Sequence, residues 1–186
     1  AYIADQGTQA PQSIKGSIEF KGVYFGYNPQ EPVLKDINLS VETGQTIALV
    51  GATGAGKSTI INLLSRFYEI DKGGIYIDGI ELKDYTLSGL RSHIAVVLQD
   101  VFLFADTILH NITLGDPGIT EDRIVAAAKE IGVHDFISSL PGGYHYTVKE
   151  RGTTLSSGQR QLIAFLRAFV SEPSILILDE ATSSVD

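Results

Sequence analysis

The chain has 186 residues, of which 44% are hydrophobic and 19% are charged, a composition that indicates a globular protein with one sizeable core. Acidic residues outnumber basic residues by 22 to 14, and the net charge of −8 disfavours broad nucleic-acid binding, which requires a basic surface. Because the chain has no cysteine, a disulfide framework, a thiolate zinc site and a cysteine nucleophile are all excluded.

The first third of the chain has the pattern of short strands followed by a helix. Residues 1–16 lack periodicity and are predicted to be a linker. Apolar residues alternate over 18–25 and 37–41, which is typical of half-buried antiparallel strands. Residues 46–50 are a continuous apolar run, which predicts a strand covered on both faces. Helical spacing of apolar residues then predicts an amphipathic helix that contains Ile60, Leu63, Leu64 and Phe67.

The rest of the chain alternates between strands and helices. Thr120 is a suitable helix cap, and the helix that follows it is expected to bury Ile124, Ala127, Ala128 and Ile131. The Pro-Gly-Gly sequence at 141–143 is expected to end the next helix, and another helix is expected to begin near Gly158. Short strands are predicted at 75–78 and 94–98, and a buried strand at 174–178. This order predicts an α/β protein with a parallel sheet and a helical insertion at 113–155.

A glycine-rich motif lies between the predicted strand 46–50 and the helix after it. Residues 51–58, GATGAGKS, fit the pattern G-x-x-x-x-G-K-[ST], in which backbone N–H groups and a helix N-terminus surround phosphate oxygens. Lys57 is expected to contact the β- and γ-phosphates, and the Ser58 hydroxyl to ligate Mg²⁺. The residues expected to bind the nucleotide here are Gly51, Thr53, Gly54, Ala55, Gly56, Lys57, Ser58 and Thr59. The motif predicts a nucleoside triphosphate site.

Two acidic residues follow the predicted strand at 174–178. Ligands bind at the carboxyl ends of strands in open α/β sheets, so Asp179 is expected to be the Mg²⁺ partner. Glu180 is the candidate general base for a water that attacks the γ-phosphate. A strand that ends in Asp-Glu is, by itself, as often a solvated terminus as a site. The phosphate-binding motif in the same chain favours the site.

Residues 155–159, LSSGQ, closely resemble the LSGGQ signature of ATP-binding-cassette (ABC) ATPases. Further elements of that family appear in the family's order. Tyr27 resembles the aromatic residue that stacks on adenine, Gln99 resembles the glutamine-loop residue, and residues 183–186 resemble the D-loop. The resemblance extends from about residue 17 to the last residue.

The resemblance implies a P-loop NTPase (RecA-like) fold with three parts. These are a mostly parallel sheet core, an N-terminal antiparallel β lobe and a helical subdomain that carries the signature motif. Residues 17–186 are then a single ABC ATPase domain, preceded by the linker 1–16 from a membrane domain. The core is expected at 17–98 and 157–186, and the helical subdomain at about 99–156.

The resemblance also implies roles for individual residues, with ATP and Mg²⁺ as cofactors. The family sandwiches ATP in a head-to-tail dimer, in which the signature motif touches the γ-phosphate held by the other subunit. The residues implied for that second nucleotide contact are Ser156, Gly158, Gln159 and Asp186. The implied catalytic residues are Glu180, Gln99 and Lys57, and the implied Mg²⁺ ligands are Ser58, Gln99 and Asp179.

Three further features are similar to ABC exporters rather than importers. They are the Glu-Arg-Gly sequence at 150–152, the segment 99–104, and Asn111 with the isoleucine after it. The implied function is ATP hydrolysis that powers efflux, with a second nucleotide-binding domain and an upstream membrane domain as partners and no nucleic acid. The implied location is the cytoplasmic face of a membrane, with the bacterial inner membrane favoured. Two alternatives stay open: a non-transport ABC ATPase of DNA repair or translation, and a regulatory module without turnover, which Glu180 disfavours.

The chain departs from the family pattern at two places. Ser157 stands where the signature usually has its first glycine, and its side chain would crowd the loop if that position needed a positive φ. The family's switch histidine lies beyond the D-loop, whereas the histidines of this chain all precede Asp179: His93, His110, His134 and His145. The domain is therefore expected to be truncated at its C-terminus and weakly active or inactive alone.

Overall fold

The computed structural model describes residues 3–52, 54–98, 100–149 and 154–179. Two compact units make up the chain, Ala1–Ile94 and Ala95–Asp186. Within the described ranges, no helix is both long and apolar enough to cross a membrane.

The first unit contains a four-stranded antiparallel sheet. Its strands are β1 (Ile18–Phe25), β2 (Leu34–Val41), β3 (Lys72–Ile77) and β4 (Ile80–Glu81), in the spatial order β2-β1-β3-β4. All three pairings are antiparallel, and the inward residues of β1 and their partners on β2 and β3 form the core of the sheet. The alternating patterns at 18–25 and 37–41 therefore predicted two strands correctly. The strand predicted at 75–78 begins three residues earlier than expected and ends one residue before Asp78.

Two α-helices accompany this sheet, α1 (Lys57–Leu64) and α2 (Leu87–Arg91), with a short 3₁₀ helix at Leu82–Asp84. The helix predicted after the glycine-rich motif is confirmed, and Leu63 and Leu64 are buried as expected. Two details of that prediction are wrong: Ile60 is only half-buried, and Phe67 is 52% exposed beyond the end of the helix. Phe67 lies outside the helix because the left-handed backbone of Arg66 (φ 51°) cannot continue a right-handed helix.

The predicted doubly covered strand at 46–50 is also wrong. These residues have no strand conformation, and Val50 is 93% exposed. A strand exists only through hydrogen bonds to neighbouring strands. Among the residues that the structure describes, no strand pairs with 46–50, so the apolar run has neither a ladder nor a cover.

Residues 3–16, here called the N-terminal strap, contain no helix or strand but are bonded to the first unit along their length. The backbone N–H groups of Thr8 and Gln9 donate to the Asp84 carbonyl, both at 2.9 Å. A Cβ added at Gly7 would lie 1.9 Å from the Tyr85 carbonyl oxygen, so only glycine fits this approach. The proposal that residues 1–16 link the domain to a membrane domain stays a prediction.

The strap ends at a carboxylate whose bonds predict a pH-dependent stability. Asp78 accepts hydrogen bonds from the backbone N–H groups of Lys15 (2.6 Å), Gly16 (3.1 Å) and Ser17 (3.0 Å) and from the Ser17 hydroxyl (3.1 Å). Burial opposes ionisation of this group, but these bonds together hold the pKa of Asp78 below its ordinary value. The stabilisation is therefore present above the unfolded-state pKa and is lost as the pH falls through the folded-state pKa.

We expect the Asp78→Asn variant to lose about 1 to 2 kcal/mol of unfolding free energy at neutral pH, because the amide has one uncharged acceptor oxygen and its NH₂ group cannot accept the bond from the Lys15 N–H. The variant should also lose part of the acid-induced destabilisation of the parent. Urea unfolding at a series of pH values measures both effects. Asp71→Asn is the matched control, because the Asp71 carboxylate accepts a single backbone bond, from Gly26 at 3.0 Å. Equal losses in the two variants would contradict the role of the strap contact.

The second unit is mainly helical around a two-stranded sheet. β5 (Ile94–Val97) is hydrogen-bonded to β6 (Ile175–Leu178). The helices are α3 (Ile108–Thr113), α4 (Glu121–Glu130), α5 (His134–Ser139) and α6 (Ser157–Val170), with a 3₁₀ helix at Gly143–His145. Their apolar faces meet in a core that includes Leu103, Ile108, Ile112, Ile124, Val133, Ile137, Ile163 and Leu166.

Most sequence predictions for the second unit are confirmed. The Thr120 side chain caps α4, α5 ends before the Pro-Gly-Gly sequence, and α6 begins one residue before Gly158. The burial expected for the last strand is wrong, because in β6 only Ile175 is buried while Leu176 and Leu178 are 41% and 46% exposed. In the described part of the chain β6 pairs with one strand only, so part of its apolar surface lacks a neighbour.

Candidate nucleotide-binding site

The glycine-rich motif forms a turn that leads into α1. Gly54 (φ 83°) and Gly56 (φ 91°) both have left-handed backbone conformations. A Cβ at Gly56 would lie 2.6 Å from the Cδ2 atom of Leu34, so a side chain here would meet both backbone strain and a buried neighbour. These two positions explain why the motif requires glycine.

The N-terminus of α1 presents positive charge. Within the described residues no side chain caps this helix, and its first turn contains no acidic residue. The Lys57 ammonium donates to the carbonyl oxygens of Gly51 (2.5 Å) and Ala52 (3.1 Å), which uses two of its three N–H donors. The side chain of Ser58, the second residue of the helix, is exposed. The backbone N–H groups of a helix start, an ammonium and a helix dipole together form an arrangement that binds anionic oxygens.

Tyr27 is connected directly to the same helix. Its hydroxyl lies 3.1 Å from the Thr59 hydroxyl and accepts a hydrogen bond from the Asn62 amide at 3.3 Å. Its ring is 51% exposed and packs edge-to-face against Phe25 and Tyr68, with centroids 5.0 and 5.1 Å away. The structure thus brings Tyr27 and the phosphate loop together and fixes the ring as an open aromatic surface beside it.

The residues that support Tyr27 were missed by sequence reasoning. Asn62 lies on α1 and Tyr68 follows its end, and neither forms part of a motif. A signal was available for Tyr68, since an aromatic pair directly after a predicted amphipathic helix is unusual on a solvent-exposed turn.

In the second unit, the signature residues form the N-terminus of α6. The Ser156 hydroxyl accepts from the Gln159 N–H (3.1 Å), and the Gln159 side chain accepts from the Ser156 N–H (2.9 Å), which is a complete capping box. Ser156 is exposed, and Gly158 is half-buried in the first turn. The Ser156 hydroxyl keeps its proton for donation, and the helix start adds the N–H groups of Ser157 and Gly158.

The structure answers the question about Ser157. This residue is the first residue of α6 and therefore has a right-handed helical backbone. Position 157 does not need a positive φ, and the exposed serine side chain meets no conformational penalty there. The Ser157 side chain therefore does not crowd the start of α6, as it would have done at a position with a positive φ.

Asp179 follows β6, and its N–H donates to the Val97 carbonyl at the end of β5 (2.9 Å). This bond joins the acidic strand end to the strand that leads to Gln99. Five sets of expected site residues lie outside the described residues: Thr53, Gln99, 150–152, Glu180 and Asp186.

Each of the two units, taken by itself, contains one described side chain whose oxygen suits a magnesium ion. The Ser58 hydroxyl and the Asp179 carboxylate are hard oxygen ligands of the type that Mg²⁺ prefers. Across the described ranges, no group of three or more His, Asp or Glu side chains is arranged to hold a metal ion. Mg²⁺ does not need such a group at a phosphate site, because one or two protein oxygens and the phosphates hold it.

Comparisons with known proteins identify the family of the chain. A family model described as ABC transporter matches residues 34–183. The chain is 50% identical over 181 residues to a candidate multidrug export ATP-binding/permease protein of Staphylococcus aureus, covering 97% of this chain and 31% of that protein. It is 49% identical over 175 residues to the uncharacterized ABC transporter ATP-binding protein YknV of Bacillus subtilis, covering 94% of this chain and 29% of that protein.

A solved structure, described as a bacterial Atm1-family ABC exporter with ATP bound, matches with a TM-score of 0.92 and 41% identity. The match covers 99% of this chain and 32% of that one. It confirms the predicted fold class, a P-loop NTPase fold with an N-terminal antiparallel β lobe. The chain spans less than a third of the length of each of these relatives.

Proposed function

Because the chain belongs to the ABC transporter family, we propose that it binds and hydrolyses ATP with Mg²⁺ and thereby powers export as part of a longer membrane protein. The observation that carries this proposal is the phosphate loop at 51–58. There an uncapped helix N-terminus, the Lys57 ammonium and the exposed Ser58 hydroxyl lie on one short segment. The relatives that are named as exporters favour this interpretation over that of a non-transport ABC ATPase.

The proposal gives each described group a separate task. The N–H groups at the start of α1 and Lys57 bind phosphate oxygens, and the Tyr27 ring stacks on the adenine base. Ser58 and Asp179 hold the metal ion, which neutralises charge on the phosphates when bound. Because Tyr27 bonds to Thr59 on α1, the base and the phosphates are positioned by one helix.

Two residues complete the proposed chemistry from sequence reasoning alone. Glu180 accepts the proton of the water that attacks the γ-phosphate, and Gln99 contacts the metal and that water. Their neighbours support the assignment, since Asp179 and Val97 are bonded to each other and each lies within two residues of one of them.

We further propose that two copies of the domain, or two related domains, pair head-to-tail around ATP. The support is the start of α6, where the exposed Ser156 hydroxyl and the first N–H groups of the helix form a second anion-binding surface. Lys57 and Ser156 each bind one side of the nucleotide, so ATP closes the pair and hydrolysis opens it. A membrane domain is the further partner, as the ATP-binding/permease name of the relative suggests, and the pair then acts at the cytoplasmic face of a membrane.

The experiment is sedimentation of this chain with the Glu180→Gln substitution, which is expected to keep ATP intact. Without nucleotide the sedimenting species should have the monomer mass of 20.1 kDa, and Mg-ATP should double it. Lys57→Ala added to Glu180→Gln is the control, because it removes a group that binds phosphate, and this double variant should keep the monomer mass with Mg-ATP. A Glu180→Gln chain that binds ATP and stays monomeric would refute the pairing. A chain that fails to bind ATP would refute the whole proposal.

A further inference from the structure

The loop between β5 and α3 exposes two aromatic rings on a backbone that is held firmly. Phe102 and Phe104 are 57% and 50% exposed, and their rings pack edge-to-face with centroids 5.1 Å apart. Leu103 between them is fully buried in the core of the second unit. The described residues of this loop after position 99 contain no helix or strand, so their arrangement depends on hydrogen bonds to other groups.

Four of those bonds involve one side chain, that of Asn111 on α3, and the backbone adds bonds from the Val148 N–H to the Asp106 carbonyl oxygen and from the Asp106 N–H to the Phe104 carbonyl oxygen, both at 2.8 Å. The Asn111 Oδ1 accepts from the Phe104 N–H (2.8 Å), and its Nδ2 donates to the carbonyl oxygens of Phe104 (3.0 Å), Thr107 (3.0 Å) and Asp106 (3.5 Å). Asn111 is fully buried. A buried amide is stable only when its donors and acceptor are satisfied, and here loop backbone groups satisfy all of them.

The backbone of Asn111 is bonded in turn to the signature helix. The Arg167 Nε donates to the Asn111 carbonyl oxygen at 2.7 Å. Arg167 lies on α6, which begins with Ser157 and is capped by Ser156. Arg167 is half-buried, and the Asn111 carbonyl oxygen satisfies its Nε, whereas its buried Nη2 has no partner among the described residues.

We propose that Asn111 is a positioning residue that fixes the segment directly after Gln99 and, through Arg167, joins that segment to the helix that carries Ser156. The proposal rests on the proposed function for the roles of Gln99 and Ser156. The connection between the loop and α6 itself consists of hydrogen bonds within the second unit. It makes the loop and the signature helix move together when ATP binds or leaves, because neither the buried Asn111 amide nor the Arg167 Nε can lose its partner without penalty.

The test uses a tryptophan, because the chain has none of its own. Phe102→Trp places a single tryptophan, excited apart from the tyrosines at the red edge of its absorption, on the exposed part of the loop. Adding Asn111→Asp to it keeps one acceptor but replaces the amide donors by a second oxygen that faces carbonyl oxygens. We expect acrylamide quenching of Trp fluorescence to rise about twofold or more, since a loop without its bonds opens locally.

Ile124→Val in the same Phe102→Trp background is the control, because it lowers stability by about 1 kcal/mol at a fully buried position of α4 without removing a hydrogen bond of the loop. It should leave quenching unchanged. Arg167→Lys is the second variant, for the case that Asn111→Asp does not fold: it keeps the charge but loses the Nε donor, and should raise quenching to a smaller extent. Unchanged quenching in the folded Asn111 variant, or an equal rise with Ile124→Val, would overturn the proposal.

A second measurement tests whether the hydrogen bonds of Asn111 affect ATP-dependent pairing. In the Glu180→Gln background, Asn111→Asp should raise the ATP concentration needed for pairing several-fold, while the affinity of the monomer for ATP, measured by calorimetry, stays the same. In a domain that is only destabilised, pairing and the ATP affinity of the monomer would weaken together. That result would overturn the positioning role. If no ATP binds to the parent chain, the proposed function fails and the quenching result still decides whether Asn111 holds the loop.

Discussion

Replacing Lys57 with alanine is expected to weaken ATP binding at least tenfold. A charge-assisted hydrogen bond contributes about 1.5 to 3 kcal/mol, and about 1.4 kcal/mol corresponds to a factor of ten in the dissociation constant. The variant also loses the two bonds from the ammonium to the Gly51 and Ala52 carbonyl oxygens, so the loop itself is less ordered. Calorimetric titration with Mg-ATP measures the change.

Two further substitutions separate the charge from other effects. Lys57→Met keeps most of the apolar stem and should lose nearly as much affinity as Lys57→Ala, because the ammonium is the group that binds. Lys83→Ala removes an exposed lysine of the same unit, which pairs with Glu81 at 2.8 Å, and should leave the affinity unchanged. An unchanged affinity in Lys57→Ala, or an equal loss in Lys83→Ala, would contradict the assigned phosphate site.

The parts of the fold that sequence predicted correctly depend on local interactions. The helix after the glycine-rich motif, the Thr120 cap and the helix that begins near Gly158 follow from neighbouring residues in the chain. The start of α6 shows this clearly, because its capping box involves only Ser156 and Gln159. The same local geometry explains why serine is accepted at position 157.

The parts that sequence predicted wrongly depend on distant neighbours. The apolar run at 46–50 has the composition of a buried strand, but strand formation needs partners that composition does not specify. The bonds of Asn111 were missed for a related reason. The partners of its side chain are backbone groups, which have no sequence signature, and the partner of its carbonyl oxygen is Arg167, 56 residues away.

The second large effect concerns Gly73, where β3 passes the irregular part of β1. A Cβ at Gly73 would lie 2.3 Å from the Gly22 carbonyl oxygen and 2.4 Å from that of Lys21, and Gly73 has a φ of 87°. The register between β1 and β3 shifts between Lys21 and Tyr24, so Gly73 faces a bulge in the ladder. Both obstacles are backbone atoms of a paired strand, which cannot move aside as a flexible side chain would.

We expect Gly73→Ala to lower the unfolding free energy by about 3 kcal/mol or more, the sum of a left-handed backbone penalty of about 1 to 2 kcal/mol and a steric term of similar size. Gly79→Ala isolates the first term, because Gly79 has a similar φ of 77° and no atom within 4 Å of the added Cβ. Urea midpoints at unchanged m-values give the difference. An equal loss of unfolding free energy in Gly73→Ala and Gly79→Ala would show that the backbone of β1 shifts at the bulge and relieves the clash.

Gly73→Ala should also weaken ATP binding. Asp71, two residues earlier, donates its N–H to the Tyr24 carbonyl oxygen (2.9 Å) and accepts from the Gly26 N–H (3.0 Å), directly before Tyr27. A β3 strand displaced at Gly73 pulls on both bonds and therefore shifts the Tyr27 ring from its place beside α1. Under conditions where the variant is still folded, its ATP affinity should fall several-fold, whereas Gly79→Ala should bind like the parent. If folded Gly73→Ala binds ATP as tightly as the parent chain, the Tyr27 ring is positioned by its contacts with α1 alone.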